Sequence, residues 1–433
     1  MEKETIALIT AFKPEAISLL KDIKAEVSHI YDNGIANYVD TQRKKIFHTK
    51  TFLFGNDQVN FYDTFFQVSL TNSLITIENK ENVFDIFHKS NCASIIGNAG
   101  SGKTMLLKHM FLMCIENKIN IPIIIELRTF NDKNISFQDY VFEKILNNSL
   151  SPNKVILERI LKNGRFFILL DGFDEIYTPT KHKLVEEIDA FIDRYPQNKF
   201  VLSSRPGTNI ENMPRFEVFR VLSLKKHQIK HFIAQQVTLA DNVLLGDKII
   251  ETIEKPENKD FLTYLGSPLL LSMFILTYNA YPELPKSKSK FYWNVYDTLC
   301  TKHDSITKKG GYLHERKSGL INEELELILK WLGYISLFEC KYVFDAKYLS
   351  DKLIEIRTKL EMNYEVNNLI YDLTVSISLI TQDGLEYRFP HKSLQEYFAA
   401  ILIKEQSVES KEKIYSVKFT QLQNFTFGGH ESF

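Results

Sequence analysis

The chain has 433 residues, enough for two to four domains with sizeable cores. Its 53 Lys+Arg against 54 Asp+Glu leave a formal net charge of −1, so no global field draws it to nucleic acid or to an anionic membrane. With 44% hydrophobic and 25% charged residues it has the composition of a soluble globular protein. The cysteines Cys92, Cys114, Cys300 and Cys340 form no CxxC pair, which argues against a zinc site or disulfide frame and fits a reducing cytosol.

The opening stretch "MEKETIALITAFKPE" has no basic segment followed by a long apolar run, so it does not read as a signal peptide. The most apolar window, "SPLLLSMFILTYNAY", is too short and too often broken by Ser, Thr and Asn to span a bilayer. The expected location is cytoplasmic. From Pro14 onward, Ile17, Leu20, Ile23, Val27 and Ile30 recur at steps of three and four, the spacing of one helical face over 14–45. Residues 1–85 thus read as a small, mainly helical region. Its apolar face is expected to pack on its own chain, although a partner helix could use it.

From about residue 90 the texture changes. Short apolar runs, "CASIIG", "IPIIIEL", "RFFILLDG", "KFVLSS" and "EVFRVLSL", alternate with longer segments of helical period. Crossover helices bury both faces of each strand, so this pattern predicts an α/β domain with a parallel sheet over 86–224.

Gly97, Asn98, Ala99, Gly100, Ser101, Gly102, Lys103 and Thr104 satisfy GxxxxGK[ST] between an apolar strand and a helical segment. The glycines let the backbone curl so that its N–H groups face phosphate oxygens, and the helix start adds its dipole. Lys103 is expected to reach the β- and γ-phosphates, and the Thr104 hydroxyl to ligate Mg²⁺. "RFFILLDGFDE" supplies the carboxylate such a site needs, with Asp171 at a strand end as the expected holder of the metal through water. Either Glu175 or Asp174 is placed to orient or deprotonate the attacking water; Glu175 is favoured, with Asp174 as the alternative. One strand further on, "SSRPG" places Arg205 at a strand tip, where its planar fork could sense a γ-phosphate.

Beyond residue 224 the strand signal fades into helical segments, interrupted by "YPELPKSKSK" at 281–290. A third block predicts helices near 322–340 and 345–375, then a hairpin with Asp383-Gly384 as its two-residue turn. Helices followed by a hairpin resemble a winged helix.

"GNAGSGKT", the acidic motif "LLDGFDE" and "SSRPG" together resemble the NACHT group of STAND NTPases. Two later stretches extend the resemblance to roughly residues 90–403. In "GSPLLLSM", Pro268 would lie against the adenine; in "FPHKSLQEYFAA", His391 would touch the β-phosphate of ADP in the closed state. The resemblance implies a nucleotide-binding domain at 86–224, a helical domain at 225–290, a winged-helix-containing domain at 291–403 and a short segment at 404–433. It also implies ATP/ADP switching with Mg²⁺ and homo-oligomerisation on a trigger that the sequence does not name. Members commonly carry a long repeat sensor and an N-terminal effector. With neither evident, the chain is expected to be truncated or to resemble compact bacterial NACHT proteins of antiphage defence.

Two other signals carry less. His303-Asp304 lacks the further ligands a metal site needs. Residues 340–400 hold seven Lys/Arg against nine Asp/Glu, whereas a DNA reader should be basic there, so no nucleic-acid partner is expected. The alternatives are a constitutively cycling AAA+-like ATPase and, further off, a nucleotide-gated DNA-binding regulator.

Overall fold

The computed structural model describes residues 2–409 except 52, 55–57, 80, 132, 147–153, 177, 209, 211–212, 241, 259–264, 284, 286, 302–315, 378 and 384. The chain forms two compact units, one of residues 1–49 and 65–223, the other of 50–64 and 224–433.

The first unit begins with helices. α1 (Glu2–Leu19) is followed by a 3-10 turn at Lys21–Ile23, α2 (Lys24–His29), a π-helical stretch at Ile30–Ile35 and α3 (Ala36–Phe47). The single helix expected over 14–45 is therefore broken, and Pro14 lies inside α1 instead of opening a helix. The buried face of α1 is Thr5, Leu8, Ile9, Phe12 and Ala16, while Ile17, Leu20 and Ile23 are only half-buried. Proline costs an interior helix about 3 kcal/mol, so a sequence reading starts a helix there. Packing of the preceding apolar face outweighs that cost.

Residues 65–85 add two short strands, β1 (Leu70–Thr71) and β2 (Thr76–Ile77). The five apolar runs then become β3 (Cys92–Ile96), β4 (Ile121–Glu126), β5 (Phe166–Asp171), β6 (Lys199–Ser204) and β7 (Glu217–Val221). Together they make one seven-stranded sheet of order β2-β1-β7-β3-β6-β5-β4. The strands from β7 to β4 run parallel, and β1 joins β7 antiparallel. Every residue of β3 is buried, as expected of a strand covered on both faces.

The helix after β3, α4 (Lys103–Glu116), is apolar almost all round: Leu106, Leu107, Met110, Phe111, Leu112, Cys114 and Ile115 are buried. Such a helix needs cover on more than one side. One side faces the sheet, and α1 and α3 pack against it elsewhere. The Tyr38 hydroxyl of α3 also bonds Ile124 on the edge strand β4, accepting its N–H (2.9 Å) and donating to its carbonyl (3.1 Å).

From residue 224 to 338 the elements among the described residues of the second unit are mainly helices: α5 (Lys226–Leu239), α6 (Val243–Glu254), α7 (Pro268–Thr277), α8 (Lys288–Thr301) and α9 (Asn322–Phe338). The helix expected at 345–375 is divided into α10 (Ala346–Lys359), α11 (Val366–Tyr371) and a π-helical stretch at Asp372–Ser376. Glu361, at φ +53°, lies in the break after α10. Strands β8 (Phe344–Asp345), β9 (Thr381–Asp383) and β10 (Glu386–Arg388) form an antiparallel sheet of order β8-β10-β9, before α12 (Lys392–Glu409). Asp383 pairs with Glu386 and so belongs to the strand; Gly384, the other half of the expected turn, lies outside the described residues. His303-Asp304 and residues 410–433 lie outside them too.

Candidate nucleotide site

The C-terminal ends of β3, β4, β5 and β6 carry the chemistry. After β3 the chain turns through Gly100 (φ +73°) and Gly102 (φ +92°), conformations that side chains with a Cβ rarely adopt. At Gly97 the constraint is space: an added Cβ would stand 2.5 Å from Ser101 Oγ and 3.0 Å from Val221. The Gly97 N–H donates to the Ser204 carbonyl (3.1 Å), which ties the loop to β6. Lys103, the first residue of α4, folds back and donates to the carbonyls of Gly97 (2.6 Å) and Asn98 (3.1 Å). Burial lowers its pKa, opposed chiefly by Asp174.

Asp171 ends β5. Its Oδ2 accepts from the Thr104 hydroxyl (2.8 Å) and its Oδ1 from the Ser203 hydroxyl. Burial raises its pKa, while those two hydroxyls work the other way. The acidic turn follows through Gly172 (φ +82°). Asp174 is bound by Arg205, through the side-chain Nε (3.1 Å) and the backbone N–H (3.2 Å). Glu175 pairs with Arg128 (3.3 Å), and the Asn131 side chain donates to its backbone carbonyl (2.8 Å).

Besides Asn131, sequence reasoning missed four polar side chains of this cluster. Arg128 also binds Glu126, which ends β4 opposite Asp171 in the β4–β5 register. Burial works against the charge of Arg128, yet Glu126 and Glu175 more than offset it and hold its pKa above the ordinary value. Lys181 stands over the Phe173 ring (4.3 Å) and donates to the Thr208 carbonyl (3.3 Å); burial lowers its pKa against the pull of Asp174. Ser203 is the fourth. The signal for Glu126 and Arg128 was available, since Glu126 closes the apolar part of the run "IPIIIEL" and Arg128 follows it, and that strand end must align with the others.

The structure thus brings together Lys103, Thr104, Asp171, Asp174, Glu175 and Arg205. Pro268 and His391 belong to the second unit. Pro268 opens α7 at its first position, where a proline loses no helical hydrogen bond. His391 precedes α12, and its Nδ1 accepts the Ser393 N–H (3.1 Å), which leaves the neutral ring's proton on Nε2.

Among the described residues no group of three or more His, Cys, Asp or Glu could hold a metal by itself. Mg²⁺ typically takes one or two protein ligands and completes its shell with water and substrate phosphate. Asp171 and Thr104, side by side at the loop, fit that role. No helix among the described residues is long and apolar enough to cross a membrane.

A phosphate loop on β3, a terminal aspartate on β5 and a mostly parallel sheet define a P-loop NTPase fold. More narrowly, residues 92–239 match the NACHT domain family and form a NACHT domain. The chain has no match among curated proteins compared by sequence. Among solved structures it is similar to a Walker-type ATPase of Pyrococcus abyssi, at 14% identity and TM-score 0.34, over 73% of this chain and 93% of that one. It is also similar to a STAND protein with a tetratricopeptide repeat sensor from Pyrococcus horikoshii, at 15% identity and TM-score 0.36, over 76% and 45%. A third is AMPPCP-bound DnaA from Aquifex aeolicus, at 15% identity and TM-score 0.28, over 51% and 78%.

Proposed function

We propose that this protein is an ATP/ADP-dependent signalling switch of NACHT type, closed on ADP at rest and oligomeric with ATP once triggered. One observation carries the reading. Both carboxylates that could activate water are engaged, Glu175 by Arg128 and Asp174 by Arg205, beside a complete phosphate loop. A carboxylate committed to a guanidinium is a poor proton acceptor, so this arrangement favours holding nucleotide over turning it over.

The loop backbone and Lys103 would hold the phosphates, and Thr104 and Asp171 would hold Mg²⁺, which supplies positive charge against the phosphoryl oxygens. Arg205 has the geometry to exchange Asp174 for a γ-phosphate, because both present oxygens to its planar fork. Reversing a balance of roughly 1:99 needs about 5.5 kcal/mol of differential binding. Two or three charge-assisted contacts at about 1.5–3 kcal/mol each supply that.

Pro268 on the adenine, His391 on the β-phosphate, a winged-helix domain at 291–403 and a role in bacterial defence against phage enter by the resemblance; the cytoplasmic location follows from the sequence's opening stretch and cysteine usage. The three-stranded sheet between helices in that segment supports the winged-helix reading. The test is the nucleotide carried by freshly purified protein, with its mass measured with and without ATP. Copurified ADP, negligible turnover and a larger mass in ATP are the expected results. Steady turnover without a trigger supports a constitutively cycling AAA+-like ATPase instead.

A further inference from the structure

Ser203 is fully buried near the end of β6, in a strand whose preceding residues Phe200, Val201 and Leu202 are apolar core. An aliphatic side chain there would bury more apolar area, so the hydroxyl calls for a reason. Its Oγ is used twice: it donates to Asp171 Oδ1 (2.5 Å) and accepts the Gly172 N–H (3.0 Å). The topology makes this reach possible. β6 lies between β3 and β5, and its pairing with β5 matches Leu170 to Leu202, which brings Ser203 beside Asp171.

The Asp171 carboxylate therefore receives a hydroxyl at each oxygen, Thr104 from the helix after the phosphate loop and Ser203 from β6. Thr104 is itself a candidate Mg²⁺ ligand; Ser203 has no other duty at the site. Its second bond pins Gly172, whose left-handed backbone starts the turn carrying Asp174 and Glu175.

We propose that Ser203 is a positioning residue for the metal carboxylate. It fixes the orientation of Asp171 and the entry of the acidic turn, so that the magnesium complex of a nucleoside triphosphate finds the carboxylate already aimed. This rests on the nucleotide reading above. Removing the hydroxyl leaves Oδ1 and the Gly172 N–H without that partner and frees the carboxylate to turn.

The experiment measures binding of AMPPCP, a non-hydrolysable ATP analogue, to the full chain by calorimetry, once in MgCl₂ and once in EDTA. In the wild type Mg²⁺ tightens binding. Ser203→Ala should match the wild type in EDTA but lose about tenfold of the tightening that Mg²⁺ provides, the scale of one hydrogen bond to a charged group. Ser203→Thr, which keeps the hydroxyl, should retain it. Full tightening in Ser203→Ala, or the same loss in Ser203→Thr, overturns the assignment. Weakened binding in EDTA as well makes Ser203 a structural residue and overturns it too. Absence of AMPPCP binding by the wild type removes the nucleotide reading itself, and this inference with it.

Discussion

The two units hold their candidate functional residues in different ways. In the first, Thr104, Asp171, Asp174, Glu175 and Arg205 are tied across neighbouring strand ends, Thr104 to Asp171, Arg205 to Asp174 and Glu175 to Arg128, while Lys103 holds its own loop. In the second, Pro268 and His391 are held by bonds within their own helix starts: Ser272 donates to the Pro268 carbonyl, and Ser393 to the His391 ring. A parallel sheet is a rigid frame that sets the spacing of all its strand ends at once. A helix start, by contrast, fixes its residue locally and leaves any distant ligand to domain arrangement.

That contrast is tested first where the frame is strongest. Once ATP is bound and Arg128 has released the carboxylate, Glu175→Gln should leave nucleotide binding intact and lower the hydrolysis that resets the switch about a hundredfold or more, the usual contribution of a positioned base. If Asp174→Asn produces the loss and Glu175→Gln does not, the roles of the two carboxylates are exchanged. Lys103→Ala should weaken ATP and ADP binding by roughly tenfold to several hundredfold, from one or more charge-assisted bonds. Titration with either nucleotide checks this, and wild-type affinity would remove the phosphate-loop assignment.

His391→Leu probes the other unit. Loss of one hydrogen bond to phosphate, about 1–3 kcal/mol, should shift the population toward the open, assembling form by roughly five- to hundredfold. Retained ADP and oligomer fraction at fixed ATP are the readouts. If neither changes, His391 serves only to cap α12.

The smallest effect concerns the first unit's own core. His109 on α4 is buried against the Phe65 ring (4.5 Å between centroids), and burial lowers its pKa from 6.5 to about 4. The unfolded chain then binds the proton more tightly, so stability is complete above pH 6.5 and lost as pH falls toward 4. Between pH 6.5 and 5 the loss should be about 1.5 kcal/mol. Urea unfolding across that range should show it, with the slope reduced in His109→Gln.

Much of the first unit was legible because its signals are local. Five short apolar runs and a loop with glycines at fixed offsets are properties of a few consecutive residues, and each run became a strand. The partners of Glu175 and Asp174 were not legible, since Arg128 and Arg205 meet them only after the strands take their order in the sheet. The N-terminal helices misled for a related reason. Periodicity from Pro14 located apolar residues, but α1 was decided by Leu8, Ile9 and Phe12 packing within the first unit.

The sequence by itself determined that a phosphate loop follows one buried strand and an acidic turn follows another, because backbone conformation and strand burial are written in neighbouring residue types. Only the tertiary structure decided that β6 stands between those two strands. That order places Ser203 on Asp171 and Arg205 on Asp174. Sheet order depends on how crossover helices pack, and no short stretch of chain encodes it.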